Sequence, residues 1–292
     1  MDNNKEGGCR AILYPEYLFT DPPVDPETPA EILSSYSAFD CVSHGCHLFG
    51  QTMWPEISPG TKRPCVIMFH GYPGTARHDD MLHALVRIGC VTVSPHFRGA
   101  WGSEGKYSIT NCIEDAIEVA EYVRGEEFCT RYNVDPERIY IMGHSMGGNT
   151  CIHVTNDLPW VRGTILLAPF DPTYFIRSGR IEEQNFVLQD GYPLHYDGVE
   201  GICRNIEENF DRLVFDPDLE RMAEANRNVL CIVGNADTYA PPEDMVQPIW
   251  DRICTEEHPN IRPLVVLHTD HDFFGQRITA TEAIADFICE TQ

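Results

Sequence analysis

Three residues far apart in the sequence have the chemistry to activate a hydroxyl group for attack on a carbonyl carbon. Ser145 is the centre of a Gly-His-Ser-Met-Gly run, while Asp237 and His271 each follow a short apolar stretch typical of a strand. A serine hydroxyl becomes a good nucleophile when a base removes its proton and a third group fixes the tautomer of that base. The order serine, aspartate, histidine along the chain is typical of folds that present the serine on a sharp elbow. We therefore predict Ser145 as the nucleophile, His271 as the base and Asp237 as the group that orients the base.

The base and its orienting carboxylate both have competitors. The chain has twelve histidines. His70 and His144 adjoin the loop and elbow motifs, and His153 lies in the helix predicted after the serine. His271 is favoured because it lies in a loop after the final predicted strand. The alternative orienting carboxylates are Asp244, Asp270 and Asp272, of which the last two are interpreted as loop-capping groups.

Acyl transfer also requires N–H donors directed at the oxyanion that develops in the transition state. The backbone amide of Met146 begins the helix after the serine and supplies one donor. The run His-Gly-Tyr-Pro-Gly at 70–74 supplies the other, for which the amide of Tyr72 is predicted. Each such donor typically contributes about 3 kcal/mol to the transition state.

The segment around the serine has the pattern of a strand, a tight elbow and a helix. An apolar strand is predicted to end at Met142, and residues 151–154 continue in a helix-compatible register. Such an elbow strains the backbone of the serine and leaves no room for a side chain at Gly143 or Gly147. We expect the serine hydroxyl to be presented at the amino end of a helix.

Strands and helices alternate along most of the chain, which predicts the α/β class with a doubly wound, mainly parallel sheet of eight strands flanked by helices. The continuous apolar run Pro64–His70 is typical of a strand buried on both faces. Asn111 and Glu114 have the spacing of a capping box at the start of a helix. Further along, a helix is predicted at 243–254 and a strand at 263–268.

The pattern divides the chain into three parts. Residues 1–35 are polar and interrupted by prolines, which indicates an extended arm, and residues 36–170 and 229–292 form the α/β core. Residues 171–228 are too long for an ordinary connection and are predicted to be a mostly helical lid, or cap, over the carboxyl edge of the sheet. Its aromatic residues are candidates for substrate binding, among them Tyr174, Phe175 and Tyr192.

Composition excludes several classes of partner. The 292 residues include 45 acidic and 21 basic side chains, for a net charge of −24. Such a field repels nucleic acids and anionic lipids, so a small molecule is the expected partner. The sequence shows neither a signal peptide nor an apolar run of membrane-spanning length, which predicts a cytoplasmic location. The oligomeric state is left open, with a homodimer as one option.

Cysteine usage favours free thiols over disulfides or a metal centre. The twelve cysteines are scattered without framework spacing. Two cysteines and two histidines interleave within residues 41–47 and do not follow zinc-site spacing. The same stretch has the pattern of a hairpin with its turn at His44-Gly45, and we predict no metal site.

A glycine-rich loop at Arg98–Gly105 could suggest phosphate binding, but it lacks the lysine of a phosphate-binding loop. We predict a structural role, in which Arg98 or Glu104 braces the edge of the sheet.

Together these motifs resemble the α/β-hydrolase superfamily, specifically its prolyl-oligopeptidase-like and serine-aminopeptidase-like esterase branch. The resemblance covers about residues 36 to 290 and rests on five motifs in order, at 70–74, 97–105, 143–148, 234–237 and 270–271. It implies a triad of Ser145, His271 and Asp237, an oxyanion hole formed by the amides of Tyr72 and Met146, and no cofactor.

The function predicted from the sequence is hydrolysis of a small carboxylic ester through an acyl-enzyme. A serine peptidase or amidase that releases short peptides or amino acids is the main alternative, since an acidic surface favours substrates with a cationic amine. A carbon–carbon bond hydrolase uses the same triad. A non-catalytic binding protein on this fold would usually lack one member of the triad.

Overall fold

The computed structural model describes residues 13–23, 25–27, 33–56 and 60–292, apart from the side chains at positions 184 and 186. The strands are β1 Ser35–Ser43, β2 Cys46–Trp54, β3 Arg63–Phe69, β4 Val91–Pro95, β5 Val134–His144, β6 Gly163–Leu167, β7 Val229–Gly234 and β8 Val265–Leu267. The helices are α1 Asp79–Arg87, α2 Ile109–Arg124, α3 Glu126–Tyr132, α4 Met146–Thr155, α5 Tyr174–Arg177, α6 Ile181–Leu188, α7 Gly198–Glu208, α8 Phe210–Leu213, α9 Asp216–Glu224, α10 Pro242–Met245, α11 Gln247–Ile253 and α12 Arg277–Thr291.

The strands form one eight-stranded sheet in the order β1-β2-β4-β3-β5-β6-β7-β8. Strand β2 runs antiparallel to both of its neighbours, and the other pairs are parallel. One buried apolar cluster packs α2, α4 and α11 against one face, and a second packs α1 and α12 against the other. The prediction of an eight-stranded, mainly parallel α/β sheet with helices on both faces is therefore confirmed.

The strand that leads to Ser145 is longer than the sequence suggested. It was expected to end at Met142, but β5 continues through His144. Gly143 and His144 remain paired with Leu166 and Leu167 of β6. The parallel partner thus holds the chain in an extended conformation up to the residue before Ser145.

Two helix boundaries also differ from their predicted positions. Helix α2 is capped by the hydroxyl of Ser108, which accepts a hydrogen bond from the Asn111 amide, so Asn111 lies inside the helix instead of capping it. The helix predicted at 243–254 is two helices, α10 and α11, because Pro248 has no N–H to continue the first one.

The hairpin prediction for residues 41–47 is confirmed. Strands β1 and β2 pair from Ser43 and Cys46 outward, with the turn at His44-Gly45. His47 Nδ1 lies 2.9 Å from Asp40 Oδ1. Across the described part of the chain, no group of three or more His, Cys, Asp or Glu residues could hold a metal ion. Every described cysteine is free, and most are buried.

The glycine-rich loop at 98–105 braces the hairpin edge, as predicted. Arg98 Nε donates to Asp115 at 2.6 Å, and the same carboxylate accepts from Ser43 in β1, also at 2.6 Å. Glu104 accepts a 2.8 Å hydrogen bond from the His47 amide. The buried carboxylate thus joins the loop, helix α2 and the first strand of the sheet.

Helices α5 to α9 occupy the long connection between β6 and β7. The last of them packs against the core, where Asp218 of α9 lies 2.8 Å from His153 of α4. Arg252 of α11 donates to Asp216 and Glu220, which also belong to α9. Helix α9 therefore completes the crossover between the two strands, and α5 to α8 precede it. No helix within the described ranges is long and apolar enough to cross a membrane.

Only part of the predicted amino-terminal arm belongs to the described residues. A short 3₁₀ helix, Pro15–Tyr17, precedes the buried Leu18. The carbonyl oxygen of Leu18 accepts a 2.6 Å hydrogen bond from Arg87 at the end of α1. This part of the arm packs against α1, while residues 1–12, 24 and 28–32 lie outside the described set.

Candidate active site

The turn between β5 and α4 places Ser145 in a backbone conformation that L-amino acids rarely adopt. Its φ angle is 54°, and the residue is 7% exposed. A Cβ atom added at Gly143 would overlap the carbonyl oxygen of Gly147, and one added at Gly147 would overlap that of Phe69. The steric requirement for glycine on both sides of the serine is thus confirmed.

The loops after β7 and β8 bring Asp237 and His271 into contact. His271 Nδ1 lies 2.6 Å from Asp237 Oδ2. The other oxygen of this buried carboxylate accepts hydrogen bonds from the amides of Tyr239 and Ala240, both at 2.8 Å. Because a carboxylate oxygen accepts, Nδ1 of a neutral His271 carries the proton and Nε2 keeps its lone pair. This tautomer is the one that a general base requires.

Ser145 and His271 line the same cavity, whose volume is about 330 Å³. The loop of residues 71–76 lines this cavity, as do Val187, Leu188, Asp190 and Tyr192 of the long connection. In the described chain, Ser145 Oγ has no hydrogen-bond partner. Catalytic hydrogen bonds are often long in the absence of substrate, so the hydroxyl is available to a base in the same cavity.

The two predicted oxyanion donors also lie at this cavity. Met146 is the first residue of α4, and the first N–H groups of a helix have no partner within it. Tyr72 lies in the loop after β3 and lines the cavity beside Gly71. In the described chain neither amide makes a hydrogen bond, so both are available to a bound oxygen.

The other candidate carboxylates have different surroundings. Asp270 caps its own loop, since its carboxylate accepts from the Phe274 amide at 2.9 Å. Asp244 accepts a 3.3 Å hydrogen bond from Arg180. Asp272 does not cap the loop as expected: it lines the cavity, where burial raises the pKa of its carboxyl group. Asp237 alone among the four contacts a ring nitrogen of His271.

Three further histidines around the site are held neutral by burial. Burial lowers the pKa of His70 and of His78 to about 4 in each case. The pKa of His144, which precedes Ser145, is lowered well below its ordinary value for the same reason. These rings therefore add no positive charge beside His271 near neutral pH.

The substrate-binding candidates separate into one residue at the cavity and two away from it. Tyr192 lines the cavity and is 83% exposed. Tyr174 and Phe175 do not line the cavity: Phe175 is buried against Phe170, and the Tyr174 hydroxyl accepts from Arg180. Lining residues that the sequence did not identify are Phe170, Val187, Leu188, Asp190 and Tyr239. Only Tyr239 had a usable signal, because it follows Asp237 by two positions.

Comparison with known protein families gives one match that covers most of the site. A family model described as the alpha/beta hydrolase fold matches residues 66–273. The uncharacterized protein YfhR of Salmonella typhi is 28% identical over 196 residues, which are 62% of this chain and 62% of that protein. The match thus spans less than two thirds of that relative's own length. An uncharacterized Mycobacterium tuberculosis protein is 25% identical over 248 residues, with 83% of this chain and 75% of that protein covered.

Solved structures with the same fold include esterases and a peptidase. An esterase from Pyrococcus furiosus superposes with a TM-score of 0.65 at 18% identity, covering 93% of this chain and 99% of that one. The acylaminoacyl peptidase of Pyrococcus horikoshii gives a TM-score of 0.65 at 15% identity, covering 89% of this chain and 42% of that one. At these identities the likeness concerns the fold.

Proposed function

The chain belongs to the α/β-hydrolase fold family, and from that premise we propose that it is a serine hydrolase that cleaves a small carboxylic ester through an acyl-enzyme. The observation that supports this most strongly is the 2.6 Å contact between His271 Nδ1 and Asp237 Oδ2 at the cavity that Ser145 lines. It leaves the second nitrogen of His271 free to act as the base for Ser145.

In the proposed first step, Ser145 Oγ attacks the carbonyl carbon of the ester while His271 Nε2 takes the hydroxyl proton. The amides of Tyr72 and Met146 donate to the resulting oxyanion. The tetrahedral intermediate then collapses, the carbon–oxygen bond to the alcohol breaks, and His271 returns the proton to the departing alcohol. An acyl group remains on Ser145.

In the second step, His271 takes a proton from water as the water oxygen attacks the acyl carbon. The bond to Ser145 Oγ breaks, Oγ regains the proton from His271, and the carboxylic acid leaves. Asp237 stays ionised throughout and stabilises the imidazolium form of His271 in both steps. The chemistry requires neither a metal ion nor a cofactor.

A peptidase or amidase that releases short peptides or amino acids is the second candidate, and one observation favours it. Asp190 and Asp272 both line the cavity, and among the described residues no lysine or arginine does. A cationic amine, such as the amino group of an aminoacyl or peptidyl substrate, would be attracted by these carboxylates. Comparing an aminoacyl nitroanilide with a short-chain nitrophenyl ester separates amide from ester cleavage.

We also propose that the predicted insertion, residues 171–228, supplies a lid to this cavity. The support is local: Val187, Leu188, Asp190 and Tyr192 of that segment all line it. Helices α5 to α8 fit this role better than α9, which packs against α4. Tyr192 is the substrate contact expected from this segment, and the arm, the cytoplasmic location and the oligomeric state stay predictions from the sequence.

The test is the intact mass of the protein after exposure to a fluorophosphonate, compared between wild type and Ser145→Ala. A fluorophosphonate forms a phosphonyl ester with an activated serine and releases fluoride. We expect one adduct on the wild type and none on the variant. Folded wild type without an adduct would contradict the proposal and favour a non-catalytic binding protein.

A further inference from the structure

His144, the residue before the nucleophile, makes a direct hydrogen bond to the proposed base. Its side chain is almost fully buried, and Nε2 lies 2.9 Å from the backbone carbonyl oxygen of His271. Because a carbonyl oxygen only accepts, Nε2 of His144 carries the proton. Nδ1 is then a lone-pair nitrogen, and it is buried with no hydrogen-bond partner in the described chain.

The ring of His144 is enclosed by groups from three parts of the site: the loop of His271 and Asp272, His78, and Gly71. It lies 4.7 Å from the His271 ring and 4.4 Å from the His78 ring, measured between centroids. Its Nε2 is 3.7 Å from a carboxylate oxygen of Asp272. On the opposite side, a Cβ atom added at Gly71 would lie 3.2 Å from Nδ1. His144 is therefore packed between the loop of the proposed oxyanion amide and the loop of the base.

The rest of the His271 loop is held by bonds that do not involve His271. Thr269 Oγ1 donates to the carbonyl of Phe274 at 2.8 Å. Arg277 donates to the carbonyl of Asp272 at 3.0 Å. Neither contact involves His144, so we expect the loop to keep its conformation when the His144 bond is lost and the effect of that loss to fall on the orientation of His271.

We propose that His144 is a positioning residue, whose Nε2–H holds the His271 carbonyl while Asp237 holds the His271 ring. Two anchors on one residue, one on its backbone and one on its side chain, direct Nε2 of His271 toward Ser145. This inference rests on the proposed function, since it assigns His144 a role in the same acyl transfer. His144 is then a fourth side chain, after Ser145, His271 and Asp237, that fixes the geometry of proton transfer.

Three substitutions at position 144 separate the hydrogen bond from packing. His144→Gln places an amide N–H near the former Nε2, and His144→Asn places one near the former Nδ1, out of reach of His271. His144→Met fills a similar volume without a donor. A shift of the base by about 1 Å lowers a rate by up to about a hundredfold. We expect kcat for a nitrophenyl ester to fall by about tenfold to a hundredfold in the Asn and Met variants.

Two measurements separate a positioning role from a merely structural one. The first is whether the loss of activity falls on kcat or on KM, and the second is whether His144→Gln keeps the activity that the Asn and Met variants lose. We expect KM to stay within about twofold in all three variants, because His144 is only 2% exposed and offers little surface to a substrate although it borders the cavity. His144→Gln should keep at least about a third of the wild-type kcat. The second-order rate of fluorophosphonate labelling should follow the same ranking.

His153→Met is the matched control, since His153 is also buried and hydrogen-bonded to a residue outside the cavity. It should lose thermal stability without losing kcat.

Equal rates for wild type, His144→Asn and His144→Met, with labelling of wild type intact, would overturn the positioning role alone. Unlabelled, inactive wild type would overturn the proposed function and this inference with it. Equal loss in Gln, Asn and Met would indicate packing and would also overturn the inference.

Discussion

The phenol of Tyr72 donates a 2.6 Å hydrogen bond to the backbone carbonyl of Leu188. Tyr72 belongs to the loop whose amide is a proposed oxyanion donor, and Leu188 is the last residue of α6 in the proposed lid. Glycine at position 191 leaves room for this close approach, because a Cβ atom there would overlap the Tyr72 hydroxyl. The loop that carries the proposed oxyanion amide and the proposed lid are thus directly joined.

Replacing Tyr72 by phenylalanine should test that connection. Loss of one hydrogen bond typically costs about 1 kcal/mol, which corresponds to about a fivefold change in an equilibrium or a rate. We expect Tyr72→Phe to lower kcat/KM for a nitrophenyl ester by about fivefold and to lower the melting temperature slightly. Tyr36→Phe, at a 70% exposed position on β1, is the control and should change neither. Unchanged kcat/KM in Tyr72→Phe would show that the contact has no catalytic consequence.

Asp237→Asn should abolish most of the activity while leaving the fold intact. An amide at this position no longer favours the Nδ1–H tautomer of His271, and the equivalent change in a serine protease lowers kcat by on the order of 10⁴. We expect a loss of at least about a thousandfold in kcat, measured with a nitrophenyl ester. Asp270→Asn is the matched control, because among the described residues the Asp270 carboxylate accepts only from the Phe274 amide in its own loop. Equal losses in the two variants would contradict the assignment of Asp237.

The negative charge at the cavity predicts a preference for substrates that carry a positive charge. Asp190 lines the cavity, is exposed and has no ion-pair partner in the described chain. We expect Asp190→Asn to lower kcat/KM for an ester with a protonated amine by about fivefold and to leave an uncharged ester of equal length unchanged. Glu182→Gln, also on the proposed lid but outside the cavity lining, should affect neither substrate. Added salt should narrow the difference between the substrates, because it screens exposed charges.

Acid should destabilise the protein in part through His70. Burial lowers the pKa of this imidazole from 6.5 to about 4, so the unfolded chain binds a proton there that the folded chain does not. Stability from this group is complete above the unfolded value of 6.5 and is lost as the pH falls toward 4. Between pH 7 and pH 5, we expect wild type to lose about 2 kcal/mol more unfolding free energy than His70→Gln. Urea unfolding at both pH values measures this, and equal losses in the two proteins would contradict it.

The parts of the site that could be predicted from the sequence are those fixed by short-range geometry. The elbow around Ser145 depends on glycines two residues away, and steric overlap at Gly143 and Gly147 explains why they are there. Asp237 and His271 could be placed because parallel strands bring their carboxyl ends to one edge of a sheet. A residue that follows such a strand directly is therefore already near the site.

The parts that could not be predicted depend on contacts between segments distant in sequence. Tyr174 and Phe175 looked as suitable as Tyr192 for substrate binding, but only the last faces the cavity. Which face of a short helix points inward is decided by packing, and a segment without strong periodicity contains no signal for it. The extension of β5 to His144 could not be predicted for the same reason, since Leu167, which pairs with His144, lies in another strand.

The proposed nucleophile and base are attached to very different parts of the sheet. Ser145 follows β5, an 11-residue strand between β3 and β6 in the interior of the sheet. His271 follows β8, a 3-residue strand at the edge with one neighbour. Edge strands with few hydrogen bonds open locally at a lower free energy than central ones. On mild heating, catalysis should therefore fail by fraying of the β8 edge while the serine is still held in place, and activity should disappear before the fold does.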